Sequence, residues 1–212
     1  MQATLVSKKG GPAFSFGVLH LLSGIPIVTT SIGKKQSISP HEKRLALLSR
    51  CLQDIRDASQ PEDLFPIVIA YLQQEFPYPL IWLGQYDRSQ NSIQGAGGTA
   101  PAQNNSALQG SISLTPGELM EQVVSQLRPM MVPDLRAEQR GGRLLPLAQK
   151  LGIQGALLFP LRYRDQCYGV LFLGSDRWGM LAKTDEKAIL SIVTGEVGAA
   201  LHRFAKIGRA HV

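Results

Sequence analysis

From residue 40 onward the chain alternates between two hydrophobic rhythms. Ser39-Pro40-His41-Glu42 reads as a capping box with proline at the first helical position. Behind it, Leu45, Leu48, Leu52 and Ile55 recur at helical spacing, which predicts an amphipathic helix to about Ala58. A second helix follows Ser59-Gln60-Pro61-Glu62, with Pro66 near its start, and Phe76-Pro77-Tyr78-Pro79 stops it. Leu80 to Asp87 (LIWLGQYD) predicts a strand that is apolar on both faces. Residues 88–110, rich in Asn, Gln, Gly and Ser, predict loops around one weak strand. Thr115-Pro116-Gly117-Glu118 reads as another capping box, opening a helix to about Leu127. Met130 to Val132 predicts a short strand, and a short helix ends near Leu151 with Gly152 as its C-cap.

Two long apolar runs, GIQGALLFPL and CYGVLFLGS, flank Arg162-Tyr163-Arg164-Asp165-Gln166 and predict a hairpin. Thr184-Asp185-Glu186 caps a closing helix to Lys206, with Ile189, Ile192, Val193, Val197, Ala200, Leu201 and Phe204 on its buried face. Helices, strands and short helices in this order give an α+β layout without internal repeats.

Composition changes this picture little. At 212 residues with 44% hydrophobic and 18% charged side chains, the chain suits one globular core. The sequence pI of about 9.5 invites a nucleic-acid reading, but the charge lies at the ends. Residues 1–44 carry six basic side chains against Glu42, whereas residues 45–206 hold 15 basic and 15 acidic ones. A neutral body lacks the clustered positive footprint that phosphate backbones require, so no nucleic-acid partner is expected. Cys51 and Cys167 stand far apart without a CxxC or a nearby histidine, which excludes a disulfide framework or structural zinc and points to a reducing, cytoplasmic compartment.

The two ends differ from the body, which is taken as residues 39–206. Residues 1–38 read as a leader, disordered or weakly hydrophobic; within it residues 14–33 are uncharged and match the ~20 residues of a membrane span. Pro26, His20, three glycines and basic pairs on both sides weaken that reading, and any membrane contact would come only through this stretch. The last six residues, IGRAHV, are what one frame of a common sequencing adapter encodes, so residues 207–212 are set aside as an artefact. On that reading the natural chain continues past Lys206 into an output module.

From Arg44 to Lys206 the order of segments resembles the GAF domain. MMVPDLRAEQR is similar to the family's passage of strand, Asp-Leu turn and polar helix. GIQGALLFPLRYRDQCYGVLFLGSD resembles its two core strands, and TDEKAILSIVTGEVGAALHR its closing helix. The resemblance implies a six-stranded antiparallel sheet with flanking helices, the first and last of them packed together. It also implies a small-molecule pocket between the sheet and residues 88–151, lined by Trp82, Tyr86, Asp134, Leu135, Arg143 and Gln154. Other readings stay open: core packing, which is favoured, for Trp82 and Tyr86, a turn cap for Asp134, and a solvated loop residue for Arg143.

The ligand and any cofactor are unidentified. The helix RGGRLLPLAQKLG lacks the cysteine and histidine with which bilin-binding relatives hold their chromophore, so a covalent bilin is not expected. Leu181 and Asp176-Arg177 depart from the Phe and Asn-Lys pattern of cyclic-nucleotide relatives, although Asp185-Glu186 is present. Relatives that reduce methionine sulfoxide use several reactive cysteines. Cys51 and Cys167 instead read as buried structural thiols or, alternatively, redox sensors.

No metal site is expected, and His20, His41, His202 and His211 all fall outside the implied pocket, so no nucleophile–base pair can be built from them. Without a P-loop, GxGxxG, HExxH or GxSxG the chain is not expected to be an enzyme.

The function implied is a small-molecule or redox sensor that controls an output module, a histidine kinase of the cyanobacterial type being the first expectation for it. Its signalling surface would be a homodimer through the Leu45/Leu48/Leu52/Ile55 and Val193/Val197/Ala200/Leu201 stripes. The rival reading is a ligand-free dimerisation or docking module.

Overall fold

The structure is a computed structural model that describes residues 39–101, 108–142, 144–179 and 182–210. The chain divides into Met1–Ser37 and Ile38–Val212, and every described element belongs to the second unit. Residues 14–33, Leu181 and Arg143 lie outside the described residues.

Helix α1 (Pro40–Asp57) opens on the expected capping box: the Ser39 hydroxyl accepts from Glu42 N (3.1 Å) and Ser39 N donates to the Glu42 carboxylate (2.8 Å). Helix α2 (Pro61–Glu75) begins with Pro61 and accommodates Pro66 inside it. Six strands follow among shorter helices: β1 (Leu80–Asp87), β2 (Ser92–Thr99), β3 (Ser111–Ser113), α3 (Leu119–Gln126), β4 (Met130–Val132), α4 (Leu144–Lys150), β5 (Gly155–Tyr163) and β6 (Gln166–Ser175). Helix α5 (Thr184–Ala210) closes the domain and runs beyond Lys206. The sheet has the order β3-β2-β1-β6-β5-β4, and its pairs are antiparallel.

Both faces of this sheet are covered, which is why its central strands are nearly continuous apolar runs. Ile81, Leu83, Leu157, Phe159, Leu161, Leu171 and Leu173 point toward the side packed by α1, α2 and α5. Leu80, Trp82, Leu158, Val170 and Phe172 point to the other side, where Met120, Val123, Leu135 and Ala148 cover them. A bulge between Leu161 and Arg162 skips Tyr168, which packs with the α5 side while Cys167 is left to the opposite face.

Two expectations need correction, and one strand, β3, had no signal in the sequence. The weak strand expected among residues 88–110 is present as the eight-residue β2. Its glycines are there for contact: a Cβ on Gly95 would collide with the Leu108 carbonyl and one on Gly98 with that of Ile81. The Thr115–Glu118 capping box does not form. Gly117 adopts φ +89° and Glu118 N donates to Thr115 O (3.1 Å), so these residues make a turn, and α3 starts at Leu119. Ile192, placed on the buried face of α5, is 50% exposed.

Candidate functional site

Trp82 stands near the middle of β1 and is 5% exposed. Its indole N–H donates to Leu108 O (2.7 Å), and the ring lies against Gly84, where a Cβ would strike it at 2.6 Å. Leu135 is fully buried in the same apolar cluster, and Tyr86 packs on that cluster's edge with its hydroxyl donating to Asn91 Oδ1 (3.1 Å). Leu135 N donates to Gln154 O (2.7 Å), and Gln154 N to Ser175 O (2.7 Å), which pins the turn after β4 to the start of β5. Four of the six expected residues, Trp82, Tyr86, Leu135 and Gln154, are therefore gathered around one core between the sheet and the 88–151 excursion.

Asp134 is turned outward. Its carboxylate accepts from Arg136 Nε and Nη2 (2.9 Å each) and from Arg136 N (3.0 Å), and the guanidinium holds the carboxyl below its usual range. Glu138 and Arg140 repeat the arrangement (2.8 Å), and Arg140 Nη1 reaches Gln122 Oε1 of α3 (3.0 Å).

Tyr86 also lines two open clefts, of about 480 and 340 Å³. They lie where β1 and β6 part, because their pairing ends at Gln85 and Gly169. Arg88 and Cys167 border both clefts, and among the described residues Arg88 enters no ion pair. Cys167 is buried with its thiol donating to Gly169 O (3.2 Å), and burial pushes its pKa up to about 11. Cys51 is buried between α1 and α2, where burial pushes it up to about 12. Both are free thiols and stay protonated at neutral pH, the less nucleophilic form. Among the described residues no group of three or more His, Cys, Asp or Glu side chains could hold a metal ion. No described helix is long and apolar enough to cross a membrane.

The expected signalling stripes are divided between two roles. Ile55, Val193, Val197, Ala200 and Leu201 are buried in the domain's own core. Leu48 and Leu52 are half-buried against it, and Leu45 is 53% exposed. The helices α1 and α5 run side by side in the same direction, latched by Arg44–Asp185 (3.3 Å) near one end and Arg56–Glu196 (2.9 Å) near the other. Arg44 also binds Glu75 of α2 (2.9 Å). These ion pairs span elements far apart in sequence and carry no local signature, so the sequence reading missed them.

The model of the family described as "GAF domain" matches residues 58–202, which takes in everything from the end of α1 to well along α5. No curated protein sequence matches the chain. Among solved structures, the GAF domain of a phosphoenolpyruvate-protein phosphotransferase from Coxiella burnetii superposes with a TM-score of 0.67 at 16% identity, covering 81% of this chain and 99% of that one. The corresponding domain from Acinetobacter gives 0.64 at 14%, covering 79% and 98%. A phycoerythrobilin-bound GAF domain from a cyanobacterial phytochrome gives 0.62 at 12%, covering 78% and 97%. At these identities the likeness is one of fold.

Proposed function

The chain belongs to the GAF domain family, whose members are sensory or regulatory parts of signalling proteins, and from that premise we propose that it is a non-catalytic sensor of a small molecule. The observation that carries the reading is the double duty of α5. Its inner side closes the sheet's core through Val193, Val197 and Ala200, while its flank is latched to α1 by ion pairs. A ligand held around Trp82, Tyr86, Leu135 and Gln154, with Asp134 at the rim, would press on the opposite face of the same two-layer core. A change there can reach α5 only through packed strands, which shift as units rather than deform continuously. The helix then passes the state to an output module, a histidine kinase being our first expectation.

The test uses the two tryptophans. Trp178 is 67% exposed, so Trp178→Phe leaves Trp82 as the sole indole. Native mass spectrometry of the purified protein is expected to show a non-covalent adduct, and its removal should shift Trp82 emission. An empty protein with unchanged emission would overturn the ligand reading.

One observation favours the second reading, a self-association module. The outer surface of the α1–α5 pair keeps Leu45 and Ile192 about half exposed, and exposed apolar groups on a helix pair are the seed of a two-fold contact. The two readings are compatible, since a dimer is one way for α5 to transmit its state. A thiol sensor finds less support, because both cysteines are buried and protonated.

A further inference from the structure

The groove between the end of β5 and the middle of α5 lies apart from the site described above. It measures about 250 Å³ and is bordered by Phe159, Pro160, Arg162, Arg164, Ser191 and Gly195, among others. β4 covers β5 only through the pair Met130–Leu158, so beyond that point the strand's edge is open. Pro160 offers no N–H there, and an added peptide strand would lack a donor. The groove therefore favours a compact guest over a β-strand.

Its charge is one-sided. Arg162 and Arg164 border it, and no acidic side chain does. Elsewhere in the domain Arg44, Arg56, Arg136 and Arg140 each hold a carboxylate at 2.8–2.9 Å. Among the described residues the Arg162 side chain makes one hydrogen bond, from Nη1 to Arg164 O (3.2 Å), and the Arg164 side chain rests over the Tyr163 ring (5.4 Å). Asp165, next in the turn, lines the cleft beside Tyr86 and Cys167 instead. Arg164 also holds a left-handed backbone (φ +54°), a conformation strained for a non-glycine residue. The turn thus presents a guanidinium where glycine or asparagine would be easier. Across the groove stands the exposed Ser191 hydroxyl.

We propose that this groove binds a phosphate group, held between the Arg162 and Arg164 guanidiniums and the Ser191 hydroxyl. Two forked cations with free N–H donors match the oxygens of a phosphate. Phe159 and Pro160 supply an apolar wall for whatever the phosphate carries. Thr194 and Gly195 lie within one turn of Glu196, and Ser191 about a turn and a half before it; Glu196 is the residue that latches α5 to α1 through Arg56. A bound phosphate would draw the β5–β6 turn onto the helix beside that latch. This proposal goes beyond the sensory reading and does not depend on it.

The test is a titration of the full chain with inorganic phosphate, followed by amide NMR, with sodium chloride at matched ionic strength as the control. The expected result is a saturable shift of the Ser191 and Gly195 amides that chloride does not produce. Affinity should fall by on the order of tenfold or more in Arg162→Gln/Arg164→Gln and survive in Arg88→Gln, which removes an equally unpaired arginine outside the groove. Ser191→Asp, which leaves both arginines in place but introduces a carboxylate, should abolish the response. Phenyl phosphate distinguishes the source: tighter binding than inorganic phosphate identifies an organic ester, and equal binding the free ion. Shifts reproduced by chloride, shifts surviving the double substitution, or an equal loss in Arg88→Gln would each overturn the proposal.

Discussion

At the scale of single residues, Tyr71 stands out because its hydroxyl is buried and has no hydrogen-bond partner among the described residues. The side chain is 6% exposed, and burial pushes the phenol up to about 12. An unsatisfied buried donor costs about 1–3 kcal/mol, more than the weak packing its oxygen supplies. Tyr71→Phe is therefore expected to raise the thermal midpoint by roughly 2–4 °C, measured by calorimetry; a lower midpoint would show that the hydroxyl is satisfied in solution. This orphan was not legible in the sequence, whereas the turn cap that Asp134 makes to Arg136 N was one of its open readings. The periodicity of α2 places Tyr71 on the buried side, but what meets its oxygen depends on how α1 packs across it. Trp82 was easier. A large aromatic in a run apolar on both faces must be covered, and only the acceptor, Leu108 O, had to be found in the structure.

Elements were most legible where local rules and tertiary contacts agree. The capping box of α1, the β5–β6 hairpin and the Gly152 stop after α4, in the left-handed region at φ +70°, all follow from nearby residues. The Thr115–Glu118 segment has the same cap signature, yet Gly117 turns the chain before a helix can start. Gly198 and Gly195 make a sharper contrast within α5. A Cβ at Gly198 would collide with the backbone of Arg162, whereas one at Gly195 meets nothing within 4 Å. Alanine gains roughly 1 kcal/mol over glycine in a helix, and forcing packed elements apart costs about 1–3 kcal/mol. Gly198→Ala should therefore lower stability by about 1 kcal/mol or more, and Gly195→Ala should raise it by up to about 1 kcal/mol. Chemical denaturation of the two variants checks both signs, and equal effects would mean that α5 is not pressed against the hairpin.

At the scale of the whole molecule, the alternation of apolar runs and helical stripes was enough to give the α+β order, while the six-stranded sheet came from the resemblance to the GAF domain. It could not say which stripe faces a partner. A helix carrying Val193, Val197 and Ala200 can bury them inside the domain or across a two-fold axis, and the pattern is the same in both cases. Here the domain uses them, and the face left outside is Leu45 and Ile192. If the protein self-associates through that face, Ile192→Asp should weaken the dimer by roughly tenfold or more in sedimentation equilibrium while leaving the thermal midpoint of the monomer nearly unchanged. Val193→Asp should instead unfold the chain, because it buries an unpaired charge. A weight-average mass that Ile192→Asp does not alter would remove this face as the interface.

The latches between α1 and α5 join side chains 140 and 141 positions apart. Closing so long a segment is entropically expensive and becomes available only after the last helix exists. While the ribosome is still reading the sheet, Cys51 and Ile55 have only α2 and unfinished strands to cover them. Maturation of this domain thus waits for α5, and a polypeptide interrupted before residue 184 would offer chaperones and proteases a first helix with one of its two helical partners unborn.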